Sequence, residues 1–92
     1  MIRKRIVFFG RVQGVGFRYH ARYAASLYGC TGWARNEDDG SVTMEIQGAE
    51  GQIGKVLLAI QRERHIRIDG LDVQDIPVNE SERGFRTVYT SE

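Results

Sequence analysis

Between residues 10 and 18 the chain reads Gly10-Arg11-Val12-Gln13-Gly14-Val15-Gly16-Phe17-Arg18, and residues of those types at that spacing make a place for an anion. Glycine turns the backbone through positive φ and lets a ligand approach the main chain, and the amides at a helix start point outward with a partial positive charge. Arg18 adds a planar fork of donors able to grip two phosphate oxygens at once. The common nucleotide loops do not fit. A P-loop needs Gly-Lys followed by Ser or Thr, whereas Phe17 and Arg18 follow Gly16, and a dinucleotide fingerprint needs a small residue where Tyr19 stands. What remains is a compact backbone nest with one arginine, sized for a single phosphate group.

The rest of the chain must supply a scaffold for that cradle. Its 92 residues, 41% hydrophobic with one Trp, four Tyr and four Phe, suffice for one modest core, so residues 1–92 are expected to form a single domain. Thirteen Lys and Arg against twelve Asp and Glu leave a net charge of +1. That balance offers no broad attraction to nucleic acid or to an anionic membrane, so anion selectivity has to be local. The start Met1-Ile2-Arg3-Lys4-Arg5 is basic, but the apolar run from Ile6 to Phe9 is too short for a signal segment or a membrane span and reads as a strand. Cys30 is the only cysteine, and with only His20 and His65 besides it no zinc-ligand spacing exists. A reducing, cytoplasmic setting is the default, and Cys30 reads as packing rather than a reactive thiol.

Residues Arg5 to Val12, rich in β-branched and aromatic types, read as a first strand ending at the glycine loop. Phe17 to Tyr28 reads as a helix, with Phe17, Ala21, Ala24 and Tyr28 at helical spacing, Arg18, Arg22 and Ser26 on another side, and Gly29 as its stop. Thr31 to Asn36 and Ser41 to Gln47 read as strands joined by Glu37-Asp38-Asp39-Gly40, a hairpin turn. A second helix is expected from about Ala49 to Arg64, although Gly51 and Gly54 each weaken it by about 1 kcal/mol. Leu71 to Val78 reads as a fourth strand whose Pro77 favours an edge or a strand end. Gly84 to Tyr89 reads as a short last strand. Phe8, Phe9 and Trp33 are expected to fill the core, and Arg11 and Arg35 to be exposed strand charges.

The order βαββαβ with one strand added predicts an α+β fold of ferredoxin-like type. This is a split βαβ sandwich with an antiparallel sheet in the order 4-1-3-2 and two helices on one face. Strands one and two then run the same way, so the glycine loop and Asn36 lie at one end of the sheet. Two strand spacings separate them, on the order of 10 Å, a gap that a loop and a long arginine can close. Asn36 taken alone reads as a turn former. His20, one turn into the first helix, reads as a packed or surface residue.

The loop from Gly10 to Arg18, together with Gly32-Trp33-Ala34-Arg35-Asn36 and Asp39-Gly40-Ser41-Val42, closely resembles the acylphosphatases, small ferredoxin-like hydrolases. The agreement in element order extends over nearly the whole chain. Where that family often has a glycine-proline pair, this chain has His65-Ile66-Arg67-Ile68-Asp69-Gly70, a departure outside the motif residues. The resemblance implies metal-independent hydrolysis of acyl phosphates, the mixed anhydrides of carboxylic acids and phosphate, by in-line attack of water and with no cofactor. It implies that Arg18 binds the phosphoryl group with the loop amides of Gln13, Gly14, Val15, Gly16, Phe17 and Arg18, and that Asn36 holds the attacking water. A small-molecule substrate, competition by inorganic phosphate or sulfate, no nucleic-acid or membrane partner and a monomeric state are expected with it. Two alternatives stay open: an anion-sensing or RNA-docking module on the same sheet, and action on a narrower anhydride such as carbamoyl phosphate, as in related domains of larger maturation proteins. That the chain stops after one domain favours a free-standing enzyme.

Overall fold

A computed structural model of the chain describes residues 1–89; the last three residues of the expected 1–92 domain lie outside the described residues. The elements are β1 (Ile2–Arg11), α1 (Phe17–Leu27), β2 (Thr31–Asn36), β3 (Val42–Gly48), α2 (Glu50–Gln61), β4 (Arg67–Ile76) and β5 (Phe85–Val88). They build one sheet in the order β4-β1-β3-β2-β5, the predicted ferredoxin-like arrangement with a fifth strand added at the β2 edge. The pairs β1–β3, β1–β4 and β2–β3 are antiparallel. β5 is the exception to an antiparallel sheet, since it runs parallel to β2 with Gly32 beside Phe85 and Arg35 beside Val88.

Alternation along the strands explains which face the helices cover. Ile6 and Phe8 of β1, Ala34 of β2 and Met44 and Ile46 of β3 are buried in one cluster with Ala21, Ala24 and Ala25 of α1 and Ile53, Val56 and Ile60 of α2. The small residues of α1 let it lie close to the sheet and to α2, and the three-and-four spacing in α2 supplies its apolar stripe. Gly51 and Gly54 of α2 both face open space, so they cost helix propensity but no packing. The rings of Phe8 and Phe17 meet edge to face with centroids 4.7 Å apart, which pins the first residue of α1 to β1 and fixes where the helix begins. Cys30 belongs to this core, and burial pushes its thiol pKa up; it packs, as expected.

Three expectations need correction. Phe9 is exposed, because it follows Phe8 and the period of two turns it to the uncovered face. Trp33 is only half-buried, its ring lying 5.0 Å from the Arg35 guanidinium on that face. β4 begins at Arg67 rather than at Leu71, so the atypical segment is largely strand; β1 continues beside it to Arg11, with the register shifting between Phe9 and Gly10. Pro77 falls just past the end of β4, an edge strand, as its missing N–H requires.

Because β4 and β5 lie at opposite edges, the connection between them must traverse the sheet. Polar side chains on the uncovered face hold it. Arg3, 4% exposed, bridges Glu45 at 2.9 Å and Glu82 at 2.7 Å. Gln47 receives the Asn79 N–H at 2.7 Å and donates to the Asn79 carbonyl at 2.9 Å. Among the described residues no helix is long and apolar enough to cross a membrane.

Candidate active site

The loop after β1 turns into α1 through two glycines with positive φ, Gly14 at 71° and Gly16 at 80°. A side chain at Gly14 would meet nothing within 4 Å, so conformation and not space selects glycine there. Gly16 is the N-cap of α1, and its left-handed backbone opens the helix with no side-chain cap and no acidic residue in the first turn. Helix starts leave amide donors without internal partners, and these are commonly met by Ser, Thr, Asp or Asn. In α1 that end is left positive and available to an anion.

A cavity of about 320 Å³ opens over this helix start, lined by Gly14, Gly16, Phe17 and Arg18 from the loop and first turn and by Asn36 from the end of β2. The two motif residues, predicted to approach because β1 and β2 run the same way, thus share one wall-to-wall space. Arg18 is placed against the end of β5: its Nη1 lies 3.5 Å from the Val88 carbonyl oxygen and its guanidinium 5.2 Å from the centre of the Tyr89 ring. Those long contacts orient the fork and leave most of its five donors for a ligand. Asn36 is held by its backbone pairing with Val42, and its carboxamide has no partner among the described residues.

Gln13 and Val15 lie outside the cavity lining. Val15 packs against the core. The Gln13 amide reaches the hairpin beyond Asn36, donating from Nε2 to the Glu37 carbonyl at 2.7 Å and to the Ser41 carbonyl at 2.9 Å. The hairpin is itself closed by Asp39, whose Oδ1 accepts from the Ser41 hydroxyl at 2.6 Å and from the Ser41 N–H at 2.9 Å; these bonds hold the Asp39 carboxyl below its ordinary pKa. A hydrogen bond from Thr43 and the Arg35 fork do the same for Glu37. Glu37 is thereby an ionised carboxylate bound to Arg35, and among the described residues none that lines the cavity is an acid or a histidine. His20 pairs with Glu63 at 3.0 Å and stands outside the lining, as expected.

The structure adds Tyr19, Arg22, Thr87 and Tyr89 to the cavity. Arg22 stands four residues after Arg18 and so on the same helix face, but no sequence signal separates it from a solvated arginine. Thr87 and Tyr89 carry no local signal; they enter only because β5 pairs beside β2 and ends at the same edge of the sheet. Among the described residues no three His, Cys, Asp or Glu side chains form a group that could hold a metal ion.

The sequence profile of the acylphosphatase family matches residues 4–87. An acylphosphatase of Clostridium perfringens is 44% identical over 88 residues, covering 95% of this chain and 99% of the relative. One from Geobacillus kaustophilus is 37% identical over 92 residues, covering 99% and 98%. The crystal structure of acylphosphatase from Bacillus subtilis superposes with a TM-score of 0.88 at 32% identity, covering 97% of this chain and all of that one.

Proposed function

The chain belongs to the acylphosphatase family, and on that premise we propose that it hydrolyses acyl phosphates to a carboxylate and inorganic phosphate by direct attack of water on phosphorus. The observation that carries this reading is the meeting, in one cavity, of a helix start without a side-chain cap, Arg18, and the Asn36 carboxamide, which has no partner among the described residues. The phosphoryl group docks on the amides of the Gln13 to Arg18 loop, with Arg18 gripping two of its oxygens. Charge that spreads over those oxygens in the transition state is met by dipoles and a cation already in place. Asn36 orients the water opposite the leaving group, which converts a bimolecular encounter into a positioned one.

The water oxygen forms the new P–O bond as the bond to the acyl oxygen breaks, and the electron pair leaves with the carboxylate. Since the conjugate acid of that group has a pKa of about 4 to 5, no general acid is needed. A carboxamide does not take up a proton near neutral pH, and among the described residues no acid or histidine lines the cavity, so the water proton is assigned to an oxygen of the phosphate itself. Neither metal nor cofactor is needed for these steps. The enzyme acts in the cytoplasm as a monomer, with phosphate or sulfate competing for the cradle.

The test is the ultraviolet loss of benzoyl phosphate in the presence of a chelator. Rapid turnover, competitive inhibition by inorganic phosphate, and incorporation of labelled oxygen from water into phosphate rather than benzoate are expected. Absence of turnover, or label in the benzoate, refutes the reading.

A further inference from the structure

Besides those of its two tyrosines, the cavity over the helix start contains one hydroxyl, that of Thr87 in β5, which lines it together with Arg18 and Asn36. Strand alternation puts Phe85 and Thr87 on the side of the sheet that the helices cover, and Phe85 packs against the core there. Thr87 stands beside Ala34 of β2, which is fully buried. A valine has the same branched outline without the hydroxyl, so packing alone does not call for threonine at this place. The half-buried Thr87 has no hydrogen-bond partner among the described residues, and a hydroxyl beside a core costs stability unless something answers it. The next residue ties the end of β5 to the site, since the Val88 carbonyl lies 3.5 Å from Nη1 of Arg18.

Resting on the reading above, we infer that Thr87 is a second holder of the attacking water, its hydroxyl and the Asn36 carboxamide clasping that water from adjacent strands. Asn36 lies two residues beyond Ala34 on β2 and on the same face. One strand spacing across and two residues along therefore separate it from Thr87, about 8 Å between Cα atoms. Two short polar side chains and one water fill such a span. A water oxygen presents two O–H bonds and two lone pairs, and here each has a place. One lone pair faces phosphorus, one O–H donates to Asn36 Oδ1, and the other O–H turns to the phosphoryl oxygen that receives its proton. The remaining lone pair accepts the Thr87 O–H. Held by Asn36 alone, the water turns about a single hydrogen bond; held twice, it keeps its lone pair on the line of attack. Thr87 transfers no proton and stays neutral, so its part is orientation.

Turnover of benzoyl phosphate, its inhibition by inorganic phosphate and the melting temperature separate this role from a structural one. In Thr87→Val kcat is expected to fall about tenfold, the scale of one neutral hydrogen bond, while the phosphate inhibition constant stays as in wild type. The same variant should melt no lower than wild type, because no internal hydrogen bond is lost. Thr87→Ser keeps the donor and should hold kcat within about threefold of wild type. Because both residues hold one water, adding Thr87→Val to Asn36→Ala should cost less than about threefold more. An unchanged kcat in Thr87→Val, a phosphate inhibition constant weakened by the same factor as kcat, no recovery in Thr87→Ser, or the whole loss repeated on the Asn36→Ala background overturns the role of Thr87 alone. A wild-type chain that turns over no acyl phosphate overturns the hydrolytic reading and this role with it.

Discussion

Arg18 and Asn36 face one cavity from different elements, and their side-chain chemistry divides the work between them. A guanidinium is charged at every working pH and matches a phosphoryl group two oxygens at a time; a carboxamide is neutral and can only orient. Replacing Arg18 by Ala should therefore abolish both turnover and inhibition by phosphate. Asn36→Ala should keep the phosphate inhibition constant while kcat falls at least about 100-fold, the scale of one preorganised contact. An Asn36 variant with full kcat would remove that residue from the mechanism. Arg18 was legible in the sequence from the three glycines before it, whereas Asn36 by itself reads as a turn former and was singled out only by the resemblance of the Gly32 to Asn36 run to the family motif. Arg22 was not, since an arginine on an amphipathic helix is ordinarily a solvated one, and only the cavity distinguishes it from that bland role.

At the level of elements, loop and hairpin have to be fixed relative to one another, because in the proposed mechanism one would hold the phosphorus and the other the water. Gln13 does this with two hydrogen bonds from a single amide. Losing both in Gln13→Ala should cost about 1–2 kcal/mol of stability. More tellingly, kcat should fall about tenfold while the phosphate inhibition constant moves less than about threefold, since an ångström of misplacement penalises attack more than docking. Equal loss in the two parameters would mean that Gln13 merely supports the loop. Helices and the three central strands were readable from periodicity. The start of β4 was not, because Arg67 to Gly70 lacks an apolar alternation and is recruited by the extension of β1 to Arg11. β5 was visible as a strand, but its parallel pairing with β2 depends on where the preceding connection is led, which no local pattern encodes.

That connection is a property of the whole molecule, and it links a distant charge network to the site. Arg3 and Gln47 anchor Glu82 and Asn79 on the uncovered face, Gly84 then accepts the Gly32 N–H at 3.1 Å, and β5 delivers Thr87 and Tyr89 to the cavity. Burial pushes the Glu82 carboxyl up, but hydrogen bonds from Arg3 and Thr31 and the charges of Arg3 and Arg86 outweigh it, leaving the pKa below its ordinary value. A carboxyl so lowered stabilises the fold at any pH above the unfolded value of about 4.3, and that contribution disappears as pH falls through the lower folded value. Removing the charge with Glu82→Gln should cost about 2 kcal/mol at pH 7, a fall in Tm on the order of 10 °C for a chain of this size. Wild type and variant should then converge in acid melts, once pH has fallen through the lowered folded value and both carry a neutral side chain. A gap of the same size at both pH values would show that the loss comes from packing of the connection and not from the Glu82 charge.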